Sequence, residues 1–116
     1  MLKSRFQRVF EQEYLEKLKT INEKYGITSC KVALTNGTKE FLDVADFSKS
    51  GNGGLKVIFY SEKNGTKTPE AFIWMRGSGT EPVFRIMCDV KGDRPEMEKE
   101  FLQWETEMLQ KADSIL

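Results

Sequence analysis

Histidine is absent from the 116-residue sequence. This absence excludes serine–histidine and cysteine–histidine nucleophile pairs, and it excludes zinc sites built on imidazole ligands. The two cysteines, Cys30 and Cys88, form no CxxC pair and are too few for a four-ligand metal site. We therefore expect free thiols, as in a reducing compartment, and no metal ion bound by this chain.

Long apolar runs and an excess of charge of one sign are also missing. No apolar run approaches the 18 residues of a membrane-spanning helix, and the first residues lack the apolar core of a signal peptide. Lysine and arginine total 18, as do aspartate and glutamate, and no segment is strongly basic. The sequence therefore predicts neither a membrane nor a nucleic acid as partner.

Hydrophobic periodicity predicts the fold class. Apolar residues recur every three or four positions over residues 2–25 and 95–116, which predicts two amphipathic helices. Between them lie short segments rich in β-branched and aromatic residues, separated by glycine-containing turns: 31–35, 39–44, 55–60, 70–75 and 83–90. We expect one α+β domain over residues 1–116: an antiparallel sheet of four to five strands, with the N-terminal and C-terminal helices packed on one face.

Alternation along the last two predicted strands assigns residues to the faces of this sheet. Every second residue from Phe84 to Val90 is apolar, so this face should lie under the helices, and Arg85 falls on the other face. The same reasoning places Phe72 and Trp74 on the face that the helices leave uncovered. There they are either covered by a loop or form a docking surface.

One segment, Arg76 to Arg85 (RGSGTEPVFR), combines groups that suit a phosphate monoester. Its glycines allow a sharp bend that presents backbone amides to an anion, and its hydroxyls and guanidiniums add donors. A third glycine of a dinucleotide loop and the lysine of a P-loop are both missing. On composition alone an ordinary solvated turn would look the same. The candidate phosphate-binding residues are Arg76, Ser78, Gly79, Thr80 and Arg85.

The order of residues in this segment resembles the phosphate-binding loop in the last domain of the α-D-phosphohexomutases, the family of phosphoglucomutases and phosphomannomutases. The shared pattern is R-x-S-G-T-E-P-x-x-R, and the resemblance is strongest over residues 70–92. It extends more loosely to the closing helix. Gly77 departs from the family, in which many members have proline at this position.

The resemblance implies a division of labour. Family members have four domains, and the last one holds the phosphate that is not reacting while the hexose 1- or 6-phosphate passes through a bisphosphorylated intermediate. The phosphoserine loop, the Mg²⁺-binding aspartate loop and the sugar-selecting loop are absent here. The expected partners are therefore a sugar phosphate and the remaining domains of a larger cytoplasmic isomerase. This chain alone is expected to carry no catalytic residue and no cofactor.

A different class of function is also compatible with the sequence. The chain could be a stand-alone module that binds a sugar phosphate, or that binds another protein through Phe72 and Trp74, without catalysis. Which hexose phosphate is bound stays open, because the loop that selects the sugar is not in this chain.

Overall fold

Two helices flank the strands along the chain, as the hydrophobic periodicity predicts. The computed structural model describes residues 2–36, 39–41, 54–78 and 81–114. Their elements are α1 (Leu2–Tyr25), β1 (Ile27–Asn36), β2 (Lys39–Phe41), β3 (Gly54–Lys63), β4 (Thr66–Ser78), β5 (Glu81–Val90) and α2 (Pro95–Ser114). The α+β class is confirmed. The glycine-containing turn between the predicted strands 39–44 and 55–60 lies almost entirely outside the described residues.

The strands form one five-stranded antiparallel sheet in the order β2-β1-β3-β4-β5. Strands β3 and β4 are joined by Asn64 and Gly65, which both adopt a positive φ. Asn-Gly is the sequence that such a two-residue hairpin favours, because its backbone twist matches that of the flanking strands. This turn fixes the register of β3 with β4, the longest strand pair.

Both helices pack on one side of the sheet, as predicted. The core combines the apolar stripe of each helix with alternate residues of the central strands: Phe6, Val9, Phe10, Ile21, Met97, Phe101, Trp104, Met108, Val57, Phe59, Ile73 and Met75. Aromatic rings meet at its centre, with ring centroids 4.8 Å apart for Phe59 and Phe101 and 5.8 Å apart for Phe10 and Trp104. Burial of this apolar surface is what holds the helices on the sheet.

The cysteines are free and only partly buried. Cys30 in β1 and Cys88 in β5 both lie on the helix side, but β3 and β4 separate their strands. They are therefore not placed to form a disulfide. This agrees with the expectation of free thiols.

We call the side of the sheet opposite the helices the open face. Its residues follow from strand alternation and cross-strand register. Those with described side chains are Lys31, Ala33, Lys56, Ile58, Tyr60, Phe72, Trp74, Arg76, Met87 and Asp89. Phe72 and Trp74 alternate with the core residues Ala71, Ile73 and Met75, which confirms that they lie on the side without helices, where both are half-buried.

Candidate functional site

The predicted phosphate-binding residues belong to one end of the β4–β5 hairpin. Arg76 and Ser78 lie in the last residues of β4, and Arg85 lies in β5. Gly79 and Thr80 connect the two strands and lie outside the described residues. The assignment of these two residues to a phosphate pocket therefore stays a prediction.

The strand register brings the two arginine positions together. Arg76 and Arg85 are direct cross-strand partners. Such partners share a face of the sheet and have Cβ atoms about 5 Å apart, and like charges in this arrangement destabilise a sheet. Among the described residues, the exposed side chain of Arg76 makes no hydrogen bond or ion pair. A basic pair of this kind is a favourable place for an anion.

The structure corrects one feature of the sequence interpretation. Residues 77–82 were expected to form a loop, yet β4 continues to Ser78 and β5 begins at Glu81. The two strands pair as far as Ser78 with Glu81, with a register shift between Gly77 and Ser78. Backbone pairing extends this far because glycine tolerates the irregularity and Pro82 lies on an edge strand. The candidate arginines are consequently held by paired strands.

A shallow groove occupies the open face at the other end of β4 and β5, away from Arg76 and Arg85. Its volume is about 460 Å³, and its lining residues are Lys56, Ile58, Tyr60, Pro69, Glu70, Ala71, Phe72, Asp89 and Lys91. The ammonium group of Lys56 lies 4.4 Å from the ring centroid of Phe72, a cation–π contact. Alternation within LKVIFY places Lys56 on this face.

A small polar cluster around Glu70 lies at one end of this groove. Glu70 accepts hydrogen bonds from the Ser61 hydroxyl at 2.8 Å and from the Arg94 guanidinium at 2.9 Å. Burial acts to raise the pKa of Glu70, but the Ser61 and Arg94 contacts outweigh it and leave the pKa below its ordinary value. An ionised, paired glutamate at this place joins β4 to the segment that leads into α2 and is not available to a ligand.

One further acidic residue lies in the core and was not predicted from the sequence. Glu105 of α2 is fully buried, and neither of its carboxylate oxygens has a hydrogen-bond partner. Burial raises the pKa of Glu105 to about 9. Burial, and then the charge of Glu105, raises the pKa of the Cys88 thiol to about 12. Glu105 follows Phe101 by four residues and precedes Met108 by three, so helical spacing alone would have indicated its burial.

Two other classes of site are absent from the described residues. No group of three or more histidine, cysteine, aspartate or glutamate side chains within the described ranges could hold a metal ion. The described helices include none that is long and apolar enough to cross a membrane. The magnesium ion implied by the resemblance therefore remains an expectation about other domains.

Comparison of the chain with protein-family models, with curated proteins and with solved structures gives no match. The resemblance to the phosphohexomutases consequently depends on the sequence pattern of residues 76–85 and its neighbours.

Proposed function

We propose that this chain is the C-terminal domain of a phosphohexomutase of the phosphoglucomutase or phosphomannomutase type. Its role is to bind the non-reacting phosphate of a hexose phosphate while phosphoryl transfer takes place elsewhere. The pairing of Arg76 with Arg85 across the β4–β5 hairpin carries the proposal. Two arginine positions paired in the strand register, next to a glycine-containing connection, match the charge and the planar donors that a phosphate dianion needs.

Each candidate residue has a binding role in this proposal. Arg76 and Arg85 offer paired N–H donors to phosphate oxygens, and Ser78 and Thr80 offer hydroxyls. Gly79 and Thr80 offer backbone amides. None of these groups is a nucleophile or a general acid, so the domain contributes by holding a remote part of the substrate in place.

The chemistry itself is assigned to other domains of the longer protein. A serine that carries the phosphoryl group and an aspartate loop that binds Mg²⁺ are not found in this sequence. We expect the chain alone to be inactive, and we expect the complete enzyme to work in the cytoplasm on a hexose 1- or 6-phosphate.

A second candidate function is a stand-alone binding module. The half-buried aromatic side chains of Phe72 and Trp74 favour it, because the described helices pack on the other side of the sheet. Such a module would bind a sugar phosphate or a protein without catalysis.

The two candidates differ in the size and the activity of the native protein. An antibody raised against this chain should detect a protein several times larger than 13.4 kDa in an extract of the source cells. The protein captured by that antibody should interconvert glucose 1-phosphate and glucose 6-phosphate, or the corresponding mannose phosphates. A band at 13.4 kDa without this activity would contradict the mutase and favour the module.

A further inference from the structure

The outer side of β5, which we call the β5 edge, has no strand beside it in the described part of the chain. β5 pairs with β4 on one side, and none of the described strands lies on the other. At the opposite end of the sheet β2 has only three residues and begins with Lys39, and short strands and lysine protect an edge from further pairing. β5 has ten residues, and its proline, Pro82, protects only its start.

Exposed apolar side chains lie along this edge. Among the described residues, the exposed large apolar side chains are Leu15, Met87 and Leu102. Met87 on β5 is 48% exposed, and Leu102 on α2 is 39% exposed. Helix α2 packs on β5, and its Lys111 faces α1 through an ion pair with Glu13. Leu102 precedes Lys111 by nine residues, about two and a half turns, so it lies on the side of α2 away from α1 and toward the β5 edge.

The charges along β5 select one way of pairing this edge with itself. A two-fold axis perpendicular to the sheet keeps each side chain on its own face, so the axis passes at one residue, which then lies opposite its own copy. With the axis at Met87, Arg85 of each copy lies opposite Asp89 of the other, and opposite charges in this arrangement stabilise a sheet. An axis at Arg85 or at Asp89 places like charges opposite each other. An axis at Ile86 or Cys88 leaves Asp89 opposite an apolar residue.

We propose that the β5 edge binds the β5 edge of a second copy of this chain, with the two-fold axis at Met87. The two sheets then form one continuous antiparallel sheet, in which residues 84–90 pair with the same residues of the second copy. The Met87 side chains meet at the axis, Leu102 of each copy faces the other copy, and both lose contact with water.

This inference does not rest on the proposed function, and the two are compatible. A guanidinium has five N–H donors, so an Arg85 that faces Asp89 of the second copy keeps donors for a phosphate.

Sedimentation equilibrium of the 116-residue chain tests the pairing. We expect a mass of about 27 kDa, twice that of one chain, at concentrations up to about 1 mM. Met87→Lys places two ammonium groups opposite each other at the axis and should weaken the dimer by about tenfold. Leu15→Lys makes the same change at an exposed apolar residue of α1 and should leave the dimer unchanged. Both side chains are exposed, so both variants should fold.

A charge exchange tests the facing pair. Asp89→Arg and Arg85→Asp each place like charges opposite each other twice, and each should weaken the dimer by about tenfold. The variant with both substitutions restores opposite charges and should recover the dimer. Damage to the fold of one chain would not be reversed in this way.

Disulfide cross-linking tests the position of the axis. In Met87→Cys the introduced thiols lie opposite each other, with Cβ atoms about 5 Å apart, so mild oxidation should link the two chains. In Asp89→Cys the introduced thiols are four residues apart along the strand pair, about 13 Å, so they should not be linked. The native chain gives the background from Cys30 and Cys88.

The remaining outcomes overturn the inference. A mass of 13.4 kDa at about 1 mM means that the chain does not pair with itself. A dimer that Met87→Lys and Asp89→Arg leave intact uses a surface other than the β5 edge. Cross-linking of Asp89→Cys and not of Met87→Cys places the axis elsewhere. The proposed function is unaffected by each of these results, because phosphate binding is measured separately.

Discussion

Replacement of Glu105 with leucine is expected to stabilise the folded chain by about 3 kcal/mol at pH 7. The carboxyl group of Glu105 is fully buried and lacks a hydrogen-bond partner for either oxygen. An isolated buried acid is costly, because its charged form is desolvated and even its neutral form loses its hydrogen bonds to water. Leucine, of similar volume, removes this cost and adds apolar contacts to the core.

The raised pKa of Glu105 also predicts how the free energy of unfolding changes with pH. Burial raises the pKa of Glu105 from its ordinary value of 4.5 to about 9 in the folded chain. Between these two values the unfolded chain has lost the proton that the folded chain keeps, so a rise in pH favours unfolding. This one group should lower the free energy of unfolding by about 1.4 kcal/mol per pH unit in this window, with little effect below 4.5 or above 9.

Urea denaturation of the native chain and two variants at several pH values measures the effect. Glu105→Leu should lack this fall in stability, whereas Glu107→Gln, on the exposed side of the same helix, should keep it. The Cys88 thiol beside Glu105 has a pKa of about 12, so it does not titrate in the same window. A Glu105→Leu variant that is less stable than the native chain, and whose free energy of unfolding falls as steeply with pH, would contradict the account of a neutral buried acid.

Replacement of Arg76 with alanine is expected to weaken the binding of inorganic phosphate by about 10- to 100-fold. A charge-assisted hydrogen bond contributes about 1.5–3 kcal/mol, and each 1.4 kcal/mol corresponds to a tenfold change in Kd. The side chain of Arg76 is exposed, so the stability of the fold should change by no more than about 0.5 kcal/mol. Arg76→Lys should show an intermediate loss, because lysine keeps the charge but not the planar pair of donors.

Calorimetry with inorganic phosphate measures this loss, and Lys67→Ala is the matched control. Lys67 is an exposed basic residue of the same strand, and it lies at the end of β4 remote from Arg76. Its removal lowers the net charge by the same amount and should leave Kd nearly unchanged. An equal effect of the two variants would mean that phosphate responds to net charge and not to the hairpin.

The layers of the fold could be predicted because burial imposes a period on the sequence. Phe101, Trp104 and Met108 recur at helical spacing on α2, and alternate residues of β5 are apolar, so the face of each element that enters the core could be read directly. The turn at Asn64 and Gly65 could also be predicted directly, because few other residue pairs accept a positive φ at both positions.

The details around the candidate site depended on pairing between strands. The sequence predicted a loop over residues 77–82, where the structure extends β4 and β5, since glycine and proline indicate a turn but do not show how far the flanking strands remain paired. The direct pairing of Arg76 with Arg85 follows from the register and could not be obtained from the sequence without it. The burial of Glu105 was missed because a charged residue type was taken as evidence of exposure.

The central claim is that the β4–β5 hairpin binds phosphate, and a titration of the isotopically labelled chain with inorganic phosphate tests it most directly. The backbone amide resonances report every residue in one experiment. We predict saturable shifts concentrated between residues 76 and 85, lost in Arg76→Ala, with the amides around Lys17 and Lys24 on α1 unchanged. Shifts spread over the lysines of the helices, or no shift within residues 76–85, would contradict the phosphate site and the function proposed from it.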